Sequence, residues 1–148
     1  MPTDEQGDLD AEAAAAFERL SADETKALRQ RWREAFAGPV KRRHRVWVYR
    51  GYDWHAFSYG LTPSVSLQPA LEAYRAAFRE GLRKGRRREV YLMPEDLPAF
   101  RCRAAEPPDL SKQECLVCPE GLDWTMAFTH EDGWLGPFFS RRGWQAKP

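Results

Sequence analysis

The sequence predicts an α+β fold: a mostly antiparallel sheet of about five to seven strands, with two main helices packed on one face. Two observations support this class. Apolar side chains recur at helical spacing within residues 24–37 and again within 66–83. Short β-branched or aromatic runs, separated by turn residues, fill much of the remaining chain, and strands grouped apart from helices are typical of α+β layers.

The first main helix has a clear beginning and a clear apolar face. Ser21, followed three residues later by Glu24, forms a capping-box pattern. Leu28, Trp32 and Phe36 then recur at every fourth residue and form one stripe. A short Ala-rich helix that ends near residue 20 is predicted to precede this helix.

The second main helix is the longest periodic segment in the chain. Ser66 is suited to the N-cap position, and Pro69 is tolerated in the first helical turn. Gly85 is placed to end the helix. The apolar face consists of residues three or four positions apart, namely Leu67, Leu71, Tyr74, Phe78 and Leu82.

The strands are shorter and less regular than the helices. They are predicted at 46–49, 54–59, 89–93, 114–118, 123–131 and 134–140, with 99–103 either a strand or a short helix. Asp132-Gly133 predicts a tight hairpin turn. Pro137 lies in the returning strand, which favours an edge position or a bulge for that strand.

Length and composition limit the class of protein. The 148 residues favour one domain, 21–148, preceded by an acidic Ala-rich arm, 1–20. A hydrophobic content of 43% excludes a disordered chain, and no apolar run reaches the roughly 18 residues of a membrane span. The acidic N-terminus is unlike a secretory leader, so we expect a cytoplasmic protein whose three cysteines are reduced thiols.

Charge is divided unevenly along the chain. Residues 1–24 hold eight acidic residues and one Arg, whereas the rest holds 22 Lys and Arg against 14 Asp and Glu. The basic residues concentrate in two clusters, 41–45 and 83–88. This asymmetry has three interpretations: an ordinary solvated surface, a basic face for an acidic protein partner, or a phosphate-binding surface for nucleic acid.

A pattern near the C-terminus resembles a known family. The segments that carry it are Asp123-Trp124-Thr125, Thr129-His130-Glu131, and Gly133-Trp134-Leu135-Gly136-Pro137-Phe138-Phe139. They are similar to the C-terminal signature of a bacterial family of small proteins, domain-of-unknown-function family 4275, and the likeness covers residues 24–142. The chain departs from that pattern in having Phe138 in place of Tyr and in its basic 83–88 segment. The resemblance implies a bacterial cytosolic domain and no particular activity.

Cys115 and Cys118 form a Cys-x-x-Cys pair, which is a common half of a zinc site. Completing the site would require Cys102 and His130. Residues three apart on a strand point to opposite faces, so we expect structural thiols here, with no metal and no cofactor.

Two pairs of side chains are candidates for acid–base chemistry. His130 and Glu131 adjoin the predicted glycine turn, but strand alternation separates them and places His130 at the end of an aromatic core stripe. Asp53 and His55 share a strand face, where the carboxylate can orient the imidazole. The chain contains no nucleophile motif to accompany either pair.

The leading hypothesis is a non-enzymatic protein-binding module of the immunity or accessory type, with an acidic protein partner. The alternatives are an enzyme of unknown class that uses His130 or the Asp53–His55 pair, and nucleic-acid binding through the basic clusters. No membrane partner is expected. The residues predicted to contact a partner are Trp134, Phe138, Phe139, Arg141, Arg86, Arg87 and Arg88.

Overall fold

The computed structural model describes residues 17–37, 57, 62–83, 89–111, 113–131, 133–134 and 136–144. The elements in chain order are β1 (Phe17–Arg19), α1 (Ala22–Phe36), β2 (Val65–Ser66), α2 (Leu67–Arg83), β3 (Glu89–Pro94), β4 (Phe100–Arg103), β5 (Cys115–Pro119), β6 (Trp124–Phe128) and β7 (Phe138–Arg141).

The described strands form one sheet of seven in the order β1-β4-β3-β5-β6-β7-β2. Every neighbouring pair is antiparallel. The predicted α+β class, with a mostly antiparallel sheet and two main helices, is therefore confirmed. The 99–103 segment, left open between strand and helix, forms β4.

The prediction that both helices pack on one face of the sheet is wrong, because α1 and α2 cover opposite faces. Alternate residues of each central strand belong to two separate cores: Leu116 packs with α1, for example, and Val117 packs with α2. Strands β5 and β6 are buried at nearly every position. A sheet that is apolar on both faces needs a cover on each of them.

Helix α1 begins and packs as its sequence predicts. The Ser21 hydroxyl accepts a hydrogen bond from the Glu24 backbone N–H at 3.1 Å, and the Glu24 carboxylate accepts one from the Ser21 N–H at 3.0 Å. The stripe formed by Leu28, Trp32 and Phe36 is buried against the sheet. Both halves of the capping box are thus made, and the four-residue spacing identifies the packed face correctly.

The buried face of α2 begins later than predicted. Leu67 is 41% exposed, and its φ of 59° turns the chain directly from β2 into the helix. Ser66 is the last residue of β2. Ala70, Tyr74, Ala77 and Phe78 form the buried face, with Leu71 partly buried beside them.

The end of the predicted N-terminal arm belongs to the sheet. Residues 17–19 form a strand, β1, and not the predicted helix, and they pair with β4 so that Phe17 lies opposite Cys102. The Leu20 N–H donates a hydrogen bond to the Ala99 carbonyl oxygen at 2.9 Å. The part of the predicted Ala-rich helix that precedes residue 17 lies outside the described residues. The strand predicted at 46–49 also lies outside them, and of the strand predicted at 54–59 only Phe57 is described.

The returning strand β7 was predicted to lie at an edge of the sheet or to contain a bulge, and the edge position is wrong, because β6 and β2 flank β7 on either side. Pro137 precedes β7, so its missing N–H removes no hydrogen bond from the sheet. The connection from β6 is also longer than a two-residue turn, since Ala127 lies opposite Phe138. Gly133, with a φ of 95°, occupies a turn within that connection.

Candidate functional site

The three cysteines are buried, unpaired thiols. Cys115 packs in the α2 core and Cys118 in the α1 core, so the prediction that their sulfurs point to opposite faces is confirmed. Burial raises the pKa of Cys115 to about 12 and raises the pKa of Cys118 and of Cys102 as well. These thiols are therefore protonated at neutral pH, and a protonated thiol is a poor nucleophile.

His130 and Glu114 form the most defined polar pair near the end of the sheet. One oxygen of the Glu114 carboxylate accepts hydrogen bonds from the His130 backbone N–H, at 2.8 Å, and from Nδ1 of the imidazole. The Glu114 side chain is only 16% exposed, whereas that of His130 is 50% exposed. Glu114 thus fixes both the backbone and the ring of His130. The second ring nitrogen, Nε2, points away from Glu114.

The prediction that His130 ends the core stripe is wrong. Strand β6 stops at Phe128, and the chain turns at 129–131, so strand alternation no longer applies there. The turn is held by a hydrogen bond from the Glu131 N–H to the Thr129 hydroxyl at 3.0 Å. It brings the Glu131 carboxylate to 3.8 Å from His130 Nε2, so the two groups that alternation separated lie together.

Glu114 is a site residue that the sequence analysis missed. It lies 16 residues before His130 and belongs to no local motif. The register that pairs Cys115 with Phe128 brings Glu114 to the open end of the β5–β6 hairpin, close to the residues that follow β6. The pair could have been found only by predicting that register and extending it one residue before β5 and two residues after β6.

Trp134 is the most exposed large hydrophobic side chain among the described residues, at 77%. Its turn is fixed by backbone hydrogen bonds: the Trp134 N–H donates to the Glu131 oxygen at 3.0 Å, and the Gly133 N–H donates to the Gly136 oxygen at 2.8 Å. The indole is therefore presented to solvent by an ordered backbone.

The other predicted contact residues divide into buried and undescribed ones. Phe138 and Phe139 are buried in the α1 and α2 cores respectively, so neither is available to a partner of the folded domain. The Arg141 guanidinium lies over the Phe139 ring at 5.6 Å and is half-buried. Several candidates lie outside the described residues: Asp53, His55, Arg86, Arg87, Arg88 and the basic cluster 41–45. The nucleic-acid hypothesis therefore stays a prediction.

A cleft of about 150 Å³ lies between α2 and the 106–109 segment, and we call it the α2 cleft. Tyr74 and Phe128 lie beneath it and are almost completely buried, with 2% and 0% of their surfaces exposed. The Tyr74 hydroxyl donates a hydrogen bond to the Pro108 oxygen at 2.6 Å, which ties the segment to the helix. Its other lining residues are Leu71, Arg75, Arg79, Glu106, Pro107 and Asp109.

In the described part of the chain, no three His, Cys, Asp or Glu side chains are grouped so as to hold a metal ion. Neither α1 nor α2 has the combination of length and apolar character needed to cross a membrane.

Comparisons with known proteins address the family of the chain. Neither the curated proteins nor the solved structures include a significant match. A family model described as "Domain of unknown function (DUF4275)" matches residues 19–139, a span that runs from the end of β1 into β7. The resemblance found in the sequence is confirmed, and the protein belongs to the DUF4275 family.

Proposed function

We propose that the protein is a non-enzymatic protein-binding module that uses Trp134 as its central contact. The exposure of this indole on a fixed turn is the observation that carries the proposal. Tryptophan is among the residues most enriched at the energetic centres of protein interfaces. Leaving such a side chain largely in water has no structural benefit for the domain itself, whereas a partner's pocket would remove it from water.

The fixed backbone of this turn adds to the argument for a binding role. Binding that must first fix a mobile loop loses free energy to conformational entropy, and that loss is small when the backbone is already held. Besides the bonds of Trp134 and Gly133, the Gly136 N–H donates to the Glu131 oxygen at 3.5 Å, and the Leu67 N–H donates to the Pro137 oxygen at 3.0 Å. The turn is thus joined to α2 as well as to Glu131.

The character of the partner and of the compartment is also proposed. An acidic protein partner suits the basic excess beyond residue 24, and a role of the immunity or accessory type suits a small domain of this kind. A bacterial cytoplasmic location is supported by three buried cysteines that form no disulfide.

Trp134→Ala is expected to weaken partner binding by at least about 30-fold, that is by about 2 kcal/mol, while the fold is retained. The partner is first isolated by affinity capture on the wild-type protein and is then purified. Its dissociation constant for wild type and variant is measured by titration calorimetry with the two purified proteins.

Leu97→Ala is the matched control for this experiment. Leu97 is 58% exposed and lies in the turn between β3 and β4, and strand β5 separates β3 from β6 in the sheet. This variant should bind like the wild type. Equal affinities of Trp134→Ala and wild-type protein for the purified partner would refute the proposed contact.

The Glu114–His130 pair favours a second candidate, an enzyme in which His130 is a general base. The Glu114 carboxylate accepts a hydrogen bond from Nδ1–H and orients the imidazole, and Nε2, which lies 3.8 Å from the Glu131 carboxylate, is the nitrogen that takes a proton from a substrate in this candidate. The half-exposed ring satisfies the requirement for access. This candidate and the binding module differ in which variant removes function.

His130→Ala is expected to lower the free energy of unfolding by less than about 1 kcal/mol, because the pair is largely solvent-exposed on the histidine side. Urea denaturation measures this effect. Complementation of a strain that lacks the gene then separates the two candidates. Full complementation by His130→Ala, together with failure of Trp134→Ala, supports the binding module. Failure of both His130→Ala and Glu114→Gln, with stability and partner binding retained, supports the enzyme.

A further inference from the structure

His130 lies between two carboxylates that belong to different parts of the chain. Glu114, which precedes β5, accepts hydrogen bonds from the His130 backbone N–H, at 2.8 Å, and from the ring nitrogen Nδ1. Glu131, in the turn after β6, has a carboxylate oxygen 3.8 Å from the other ring nitrogen, Nε2. The side chains of Glu114 and Glu131 are 16% and 31% exposed, so neither carboxylate is fully solvated. Each nitrogen of the imidazole therefore has its own carboxylate.

The protonation state of the ring decides how many of these contacts it can make. A neutral imidazole carries one N–H, whereas the imidazolium carries two and a positive charge. Because Nδ1 makes the closer contact, with Glu114, the neutral ring keeps its proton there, and Nε2 then faces the Glu131 carboxylate with a lone pair. Only the imidazolium attracts both carboxylates. A histidine side chain changes between these two states between about pH 5 and pH 8.

Glu131 is also the residue on which the Trp134 turn closes. Its carbonyl oxygen accepts hydrogen bonds from the Trp134 N–H at 3.0 Å and from the Gly136 N–H at 3.5 Å. Its own N–H donates to the Thr129 hydroxyl at 3.0 Å. A charge that holds the Glu131 side chain against the ring of His130 therefore also holds the residue that positions the exposed indole.

The charged groups around the ring favour its protonated form. The carboxylates of Glu114 and Glu131 have the measured contacts with the ring, and negative charges at this distance stabilise the imidazolium. The other charged residues at this end of the sheet, by contact with a strand end or by sequence, are Arg29, Glu95, Asp96, Lys112 and Asp132. Lys112 and Asp132 lie outside the described residues, so the effect of their charges is measured by substitution.

We propose that protonation of His130 acts as a pH-dependent clamp on the Trp134 turn. Below the midpoint of the titration, the imidazolium holds Glu131 to Glu114, and the turn is fixed. Above it, the attraction of Glu131 is lost, and the turn opens more often. Because the groups are partly exposed, we expect an effect of about threefold. The clamp rests on the proposed function in one respect, namely that partner affinity should follow it.

The clamp itself is tested by NMR without any partner, between about pH 5.5 and pH 8.5. The ring Cε1–H signal of His130 reports its protonation. Hydrogen exchange of the Trp134 N–H, expressed relative to the rate of an unstructured peptide at each pH, reports opening of the turn. We expect the protection of this N–H to fall about threefold as the pH rises, with the same midpoint as the ring. Protection that stays constant while the ring titrates overturns the proposal.

Glu131→Gln removes the charge beside Nε2 and keeps the backbone hydrogen bonds of the turn. In this variant the protection of the Trp134 N–H should no longer depend on the titration of His130, which continues. Asp132→Asn and Lys112→Gln are the matched controls, because each removes one neighbouring charge, and both should keep the wild-type pH dependence. Retained pH dependence in Glu131→Gln, or its loss in Asp132→Asn, would assign the effect to another group and overturn the clamp.

Partner binding separates failure of the clamp from failure of the proposed function. The dissociation constant of the purified partner is measured at about pH 6 and pH 8 for the wild type and for Glu131→Gln, and the ratio between the two proteins cancels any titration of the partner. The wild type should bind about threefold more tightly at the lower pH relative to the variant. An unchanged ratio refutes control of binding by His130 and leaves Trp134 as the contact. Equal binding by Trp134→Ala and the wild type refutes the contact and leaves the clamp to the NMR result.

Discussion

Trp32→Ala is expected to lower the free energy of unfolding by about 3–5 kcal/mol, the range for removing a large aromatic side chain from a core. The Trp32 side chain is completely buried. Its ring centre lies 5.4 Å from that of Phe36 and 5.9 Å from that of Phe57. A domain of this size has a total stability of about 5–15 kcal/mol, so the variant should be close to unfolding at ambient temperature.

Part of this loss comes from a buried hydrogen-bond relay between α1 and the sheet. The Trp32 Nε1–H donates to the Thr125 hydroxyl at 2.8 Å, and that hydroxyl donates to the Val117 oxygen at 3.0 Å. Truncation of the indole leaves the Thr125 oxygen without its donor in a dry core. Trp32→Phe keeps most of the apolar volume and loses the donor, so it should lose about 1–3 kcal/mol.

Urea denaturation followed by circular dichroism measures these differences at neutral pH. Gln30→Ala is the matched control on the exposed side of α1, where its amide contacts Glu34, and it should change stability by less than about 0.5 kcal/mol. A loss below about 1 kcal/mol in Trp32→Ala would contradict the packing of α1 against this face of the sheet.

The same residues show why the sequence predicts the elements better than their packing. The capping box at Ser21 and the stripe through Trp32 are local patterns, so they identify the start and the buried face of α1 from the sequence alone. Thr125 and Ala127 alternate with the aromatic core stripe of β6, and, because they are small or polar, nothing in the sequence marks their own face of the strand as buried. In the structure both are buried against α1, because the Thr125 hydroxyl is satisfied by Trp32. A hydroxyl with a distant partner is indistinguishable in sequence from a solvated one.

The candidate site was predicted only in part for a related reason. Trp134 belongs to the aromatic C-terminal hairpin that the sequence predicts as a contact surface, and the structure exposes it. Phe138 and Phe139 were grouped with it, although two successive apolar residues in a strand covered on both faces are both buried. The partner of His130 depends on the β5–β6 register, which no short-range pattern in the sequence determines.

Raising the pH above about 8.5 is expected to destabilise the protein steeply, because the buried thiols resist ionisation in the folded state. Burial raises the pKa of Cys115 to about 12 and raises that of Cys118, whereas unfolded thiols ionise near pH 8.5. The folded protein thus binds more protons than the unfolded chain above that pH. The stability from these two thiols is fully present below about pH 8.5 and is lost as the pH rises toward the folded values.

The expected slope follows from the number of protons involved. Each thiol that ionises only on unfolding raises the unfolding equilibrium constant about tenfold per pH unit. Two such thiols raise it about a hundredfold per pH unit, which lowers the free energy of unfolding by about 3 kcal/mol per pH unit. Urea denaturation between about pH 7 and pH 9.5, with a reductant present, stays below the pKa of unfolded Tyr74, which is about 10. The double variant Cys115→Ala, Cys118→Ala should be less stable at neutral pH, yet its stability should decline far less across the same interval. Because the comparison concerns the slope, the cavity left by the two substitutions does not affect it, and identical slopes would show that these thiols are not the groups that titrate on unfolding.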